Sequence, residues 1–186
     1  HNKDIKFEKI VWSENQENPI IEGNHFSRNL SDLVWRYDNH PYYKYLSFKL
    51  FCNNSLISYV VLRSETTDKT KILHVMDILG KEECYEQSIQ FIEQYAKKNG
   101  FWFVDMFSTF APLNKYFNMR GWLSSLDSSF INVPYLFQPL EIRDPSTTSL
   151  IYWSKDHELE SYDISNVYVT KQDADLDRPT MRYIEK

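Results

Sequence analysis

At 186 residues, with 42% apolar residues, the chain matches one ordinary domain able to bury roughly two-thirds of its unfolded surface. A net charge of −5 and an isoelectric point near 5.5 give it no basic face for nucleic acid or for an anionic membrane. No stretch approaches the roughly 20 consecutive apolar residues of a spanning helix, no secretory signal opens the chain, and the expected compartment is the cytoplasm.

Residues 4–12 alternate weakly and read as an opening strand, followed by a polar turn. In residues 25–37, Phe26, Leu30, Leu33, Val34 and Tyr37 recur at helical spacing, and the helix should end before Pro41. Residues 45–52 alternate Leu46, Phe48, Leu50 and Cys52 against Ser47 and Lys49, as a strand does. Asn53-Asn54 then signals a hairpin, because Asn tolerates the left-handed region. Residues 55–63 form the return strand. Residues 71–79 are apolar on both faces except for His74 and Asp77, which predicts a strand inside a sheet. Short connections predict an antiparallel meander.

From Glu82 to Lys98 the period changes, with Tyr85, Ile89, Ile92 and Ala96 on one face and Asn99-Gly100 as the stop signal. The very hydrophobic 101–107 follows, interrupted by Asp105, and then a short amphipathic segment closing at Gly121. Residues 130–137, 149–153 and 166–170 read as further short strands. The aromatics, 13 Tyr, 12 Phe and 5 Trp against four Gly, suit a core and equally a pocket floor. Cys52 and Cys84 lack metal-ligand spacing and read as two small buried thiols, with one disulfide the alternative.

The order of meander, helix, strand and short helix resembles the core of the GNAT acyltransferase superfamily over residues 45–123. The residues that carry it are KILHVMDILG at 71–80, KKNG at 97–100, FWFVDMF at 101–107 and MRGW at 119–122. The resemblance implies an α/β (α+β) domain over 1–186, with a central mixed, mostly antiparallel sheet flanked by helices, and C-terminal strands and an acidic tail over 124–186. In that family two neighbouring strands splay apart to form the donor site, so a wedge between the segments around Asp77 and Asp105 is expected. The implied cofactor is acetyl-CoA or another acyl-CoA, held near Ile78, Leu79, Gly80 and Lys81. The implied catalytic pair is Asp77, as general base, and Tyr116.

Two stretches depart from the family pattern. Its pyrophosphate loop uses closely spaced glycines so that successive N–H groups face the anion. Here residues 79–85 hold one glycine and two carboxylates, Glu82 and Glu83, which repel a pyrophosphate. The family's general-acid tyrosine falls on Phe117, which has no proton to give, beside Tyr116.

VPYLFQP at 133–139 and DADLDRPT at 173–180 resemble GNAT-like proteins of bacterial sugar and surface-polysaccharide biosynthesis, through Pro134, Phe137, Pro139, Asp173, Asp175, Asp177, Arg178 and Pro179. That likeness implies a sugar or other small amine as acceptor. Some such proteins carry two GNAT folds in tandem, and this chain would fit the second, behind a preceding GNAT domain.

The polar residues carry alternatives. Asp173, Asp175 and Asp177 share one side in an extended conformation, where with Arg178 they would contact the acceptor or bind a hard cation; the structural alternative is that some of them cap turns while one pairs with Arg178 or Arg182. The cluster lacks the Gly and Glu of an EF-hand loop. Asp77 and Asp105 each need a partner or a cleft mouth, since burying a lone carboxylate is costly, and Arg63 is a candidate partner for Asp77. Asp105 is assigned to acceptor binding. His74 reads as a base or a half-buried structural histidine, and His25 and His40 lack zinc-ligand spacing. Tyr42, Tyr43 and Tyr45 form either an aromatic wall for a sugar or a cover for the sheet edge. Three functions follow: an N-acyltransferase, a GNAT-like module that binds a sugar acceptor or a partner domain, and a purely structural partner.

Overall fold

A computed structural model describes residues 5–66, 70–125, 136–137, 140–141 and 163–173. Five strands build the main sheet: β1 (Ile5–Ile10), β3 (Tyr45–Cys52), β4 (Ser55–Thr66), β5 (Lys71–Gly80) and β6 (Phe103–Met106), in the order β1-β3-β4-β5-β6. Every pairing is antiparallel except β5 with β6, which is parallel. The remaining elements are β2 (Asn24–His25), α1 (Leu30–Leu33), α2 (Tyr85–Lys98), α3 (Ala111–Met119), β7 (Leu136–Phe137), β8 (Leu140–Glu141) and β9 (Val167–Tyr168). β2 pairs in parallel with β9, and β7 pairs with β8. The fold is therefore α+β, a mostly antiparallel sheet flanked by helices.

Asn53 and Asn54 have φ of 50° and 65°, the left-handed pair that a two-residue hairpin between twisted strands requires. The expected helix over 25–37 begins five residues late. Asn24 and His25 join β2, Phe26 stays exposed, and Asn29 caps α1 by accepting the Asp32 N–H. The helix then widens into a π turn over Val34–Asp38 and stops before Pro41, as expected.

The two faces of the sheet differ. Phe48, Leu50, Val60, Leu62, Val75 and Ile78 lie under α2, where Phe48 meets Phe91 and Tyr95 edge-on and Ser58 bonds Ser88. On the opposite face lie Ser47, Arg63, Glu65, His74, Asp77 and Asp105, all buried. A β-bulge brings them together. The β4–β5 register shifts at Val61/Leu62, so Val75 faces Leu62, Asp77 faces Val61, and Met76 faces no residue. Without that extra residue, alternation would place Asp77 among the apolar side chains under α2. Both cysteines are free thiols, Cys84 buried and Cys52 half-buried. No described helix is long and apolar enough to cross a membrane.

Candidate functional site

β5 pairs with β6 only from Ile72↔Phe103 to Val75↔Met106, and then runs on to Gly80 with β6 ended. The gap beside Asp77 and Ile78 is the wedge anticipated between the Asp77 and Asp105 segments. It is filled by this chain. Ile78 donates its N–H to the Tyr168 hydroxyl at 2.9 Å, and its carbonyl lies 3.0 Å from the same oxygen. Thr170 bridges to Ser108, and Thr109 accepts the Val169 N–H on its side chain while giving its own N–H to the Val169 carbonyl. Residues 167–173 thus lie along the continuation of β6 and point into the wedge.

Asp77 has no exposed surface. Arg28 Nε donates to its Oδ2 at 3.0 Å, Tyr37 to the same oxygen at 2.8 Å, and Tyr168 to Oδ1 at 2.9 Å; Thr170 lies 3.4 Å from Oδ1. Burial pushes the Asp77 carboxyl above its ordinary range, against the pull of Arg28. Burial next to Asp77 also raises the Tyr37 and Tyr168 phenols, which remain proton donors. Arg28 reaches on to Asp173 Oδ2 at 2.5 Å, and that oxygen accepts the Thr170 N–H at 2.9 Å. Gln172 Oε1 also lies against the Tyr37 hydroxyl, whose single proton serves either Asp77 or Gln172.

A second buried chain adjoins the first. Arg63 donates to Glu65 at 3.0 Å, His74 spans Glu65 (3.1 Å) and Asp105 (2.6 Å), and Lys171 donates to Asp105 at 2.7 Å. Burial alone would raise Asp105, but Lys171 and His74 outweigh it and hold the carboxyl well below the usual range. Glu65 is likewise lowered, with bonds from His74 and Arg63 overcoming its burial.

The anticipated cofactor loop is also engaged within the chain. The Glu82 N–H, at the turn leading into α2, donates to the Glu22 carboxylate at 3.1 Å. Gly80 serves packing: a Cβ there would sit 2.8 Å from Ser58 Cβ and 3.0 Å from the Ile57 carbonyl. Leu79 is buried. Lys81, with Glu17, Glu83 and Cys84, lines an open groove of about 210 Å³. Three features disagree with bound acyl-CoA in this conformation: a carboxylate on the loop amide, carboxylates at the helix start, and a tyrosine in the wedge.

Tyr116 lies apart from Asp77, its hydroxyl 3.4 Å from Glu82 and raised by burial and by that carboxylate. Phe117 is buried edge-on against Trp122. Arg28, not Arg63, is the cation on Asp77, and Arg63 stacks under Tyr43 at 4.4 Å. His40 stacks on Tyr43 and Tyr45 packs on Tyr37, so two of the three tyrosines pack on side chains of this face while Tyr42 stays exposed. Residues 171–173 form a turn in which the Asp173 carboxylate accepts the Thr170 N–H and points inward to Arg28. Asp175, Asp177 and Arg178 lie outside the described residues, as do Pro134, Pro139 and Pro179. Among the described residues no cluster of three or more His, Cys, Asp or Glu is placed to hold a metal ion.

No protein-family model matches the chain, and no curated protein matches it. Among solved structures it is similar to an acetyltransferase of Trypanosoma brucei, at 10% identity over 70% of this chain and 100% of that one, with a TM-score of 0.43. It is also similar to an aminoglycoside acetyltransferase from an uncultured soil metagenomic sample, in complex with sisomicin, at 12% identity, 71% and 95% coverage and a TM-score of 0.41. A glucosamine-6-phosphate N-acetyltransferase from Arabidopsis thaliana matches at 11% identity, 55% and 81% coverage and a TM-score of 0.37. Likeness at this level fixes neither family nor chemistry.

Sequence reasoning missed Arg28, Tyr37, Tyr168, Thr170 and Lys171 as members of the buried site. A lone carboxylate in an apolar strand signals that a partner exists, but carries no sign of which residue supplies it.

Proposed function

We propose that this chain is a GNAT-type domain of an N-acyltransferase that moves an acyl group from a coenzyme A thioester to the amino group of a sugar or similar small amine, in bacterial sugar or polysaccharide metabolism. Within that protein it supplies acceptor or domain–domain contacts, while a preceding GNAT domain binds the donor. Support for the fold half of this reading is the order of elements and the unpaired half of β5 beyond β6. Support for the amine is the sequence of the acidic tail, where Asp175 and Asp177 would attract an ammonium group, Asp173 being held by Arg28.

One observation carries the division of labour. The Glu82 amide, which begins the turn into α2, is bonded to the Glu22 carboxylate, so a protein anion stands where a pyrophosphate would bind. Calorimetric titration of the chain with acetyl-CoA to millimolar concentration should give a flat isotherm. Saturable heat in the micromolar range would overturn the division of labour and make this chain the donor-binding enzyme.

A further inference from the structure

Two carboxylates meet where α2 begins. Glu22 accepts the Glu82 N–H at 3.1 Å, and the Glu82 side chain lies 3.4 Å from the Tyr116 hydroxyl. All three residues are half-exposed. Among the described residues, neither Glu22 nor Glu82 forms an ion pair with a lysine or arginine. Arg120 is taken by Glu93 at 2.6 Å, and Lys115 lies 5.9 Å from the centre of the Tyr116 ring. The positive end of α2 offsets part of this charge, but two carboxylates on one corner still favour a cation.

Tyr85 makes an independent demand at the same corner. It is fully buried, yet its hydroxyl has no hydrogen-bond partner, which very few buried polar groups tolerate. Its ring meets the Tyr116 ring edge-on at 5.9 Å. Burial, and then the charges of Glu22 and Glu82, push its phenol up, so the hydroxyl lies in the field of both carboxylates and keeps its proton. An ammonium group alone would answer the carboxylates and leave that proton without an acceptor. A hydroxyl beside the ammonium answers both, since its oxygen accepts from the phenol.

We infer that the start of α2 is a binding site for a small amino alcohol, with its ammonium held by Glu22 and Glu82 and its hydroxyl on Tyr85. The corner that would hold an anion in the resembled family holds a cation here. This rests on the reading above that the loop takes no pyrophosphate, but its test uses no phosphate. Glucosamine, methylammonium and glucose separate the two demands, carrying both groups, the ammonium alone and the hydroxyls alone. The readout is the Glu82 amide resonance, followed just below neutral pH, where the amines are protonated. Glucosamine should shift it saturably, with a dissociation constant of about 10 mM or lower and at least about 5-fold below those of the other two probes.

Tyr85→Phe removes only the hydroxyl and should bring glucosamine down to the affinity of methylammonium. Glu22→Gln should weaken both amines at least about 10-fold, and Glu82→Gln replaces it should that variant fail to fold. The site is overturned if glucosamine gives no saturable shift, if glucose binds as tightly, or if Tyr85→Phe binds glucosamine unchanged. A glucosamine shift alongside acetyl-CoA heat would sink the division of labour alone. A flat acetyl-CoA isotherm with no glucosamine shift would sink this site alone.

Discussion

Asp77 persists in the core because other side chains surround it with donors and one guanidinium. Arg28 is the charge that makes its burial tolerable, and it serves Asp173 as well. Removing one member of a buried ion pair strands the other, which costs far more than the pair itself contributes. Arg28→Met should therefore lower stability by about 3–5 kcal/mol, read from the urea midpoint, while keeping most of the side-chain volume. A loss below about 1 kcal/mol would mean that the tyrosines and Thr170 alone compensate the carboxylate. At this scale the sequence was half legible. Asp77 and Asp105 announce themselves by interrupting apolar strands, whereas their partners Arg28 and Lys171 lie 49 and 66 residues away and look like ordinary surface cations.

At the scale of elements, local chemistry did most of the placing. The Asn53-Asn54 hairpin, the start of β5 and the Asn99-Gly100 stop of α2 fall where short-range signals put them. The start of α1 does not, because apolar spacing ran on through Phe26 while the Asn29 cap defined the true first turn. The bulge at Met76 is equally hidden, since an extra residue in one strand is meaningful only against its partner. Gly80 shows how one residue invites two readings: a phosphate-loop glycine in the sequence, a close-packing glycine against Ser58 in the fold. Gly80→Ala should lower stability by about 1–3 kcal/mol through overpacking, seen as a depressed melting temperature. An unchanged melting temperature would show that the β4–β5 contact has room to relax.

At the scale of the whole molecule, the buried carboxylates set the response to pH. Glu65 and Asp105 titrate below their ordinary range in the folded protein, as does Glu93, whose bonds from Arg120 and Trp122 outweigh its partial burial. Below the unfolded-state values, the unfolded chain then binds more protons, so these groups stabilise the fold above about pH 4 and lose that contribution as pH falls through their folded values. Asp77 and Asp38, raised by burial, act in the opposite sense: their contribution is present at low pH and is lost as pH rises through their folded values. With the lowered group spread over both the buried chain and the Arg120 pair, stability measured by urea unfolding should rise between roughly pH 3 and pH 5. A flat or falling profile there would show that the raised carboxyls dominate.

By itself the sequence determined the alternation and periodicity that make five of the strands and two of the helices, the turn between β3 and β4, and the presence of two carboxylates that demanded partners. These are properties of neighbours along the chain, where sterics and short-range bonds act without knowledge of the rest. Only the tertiary structure decided that β6 stops short of Ile78, that Tyr168 enters the gap, and that Arg28 ties Asp77 to Asp173, partners 49 and 145 residues away from it. Each of those depends on surfaces that meet only after the sheet has formed, and burial gives such contacts their energy.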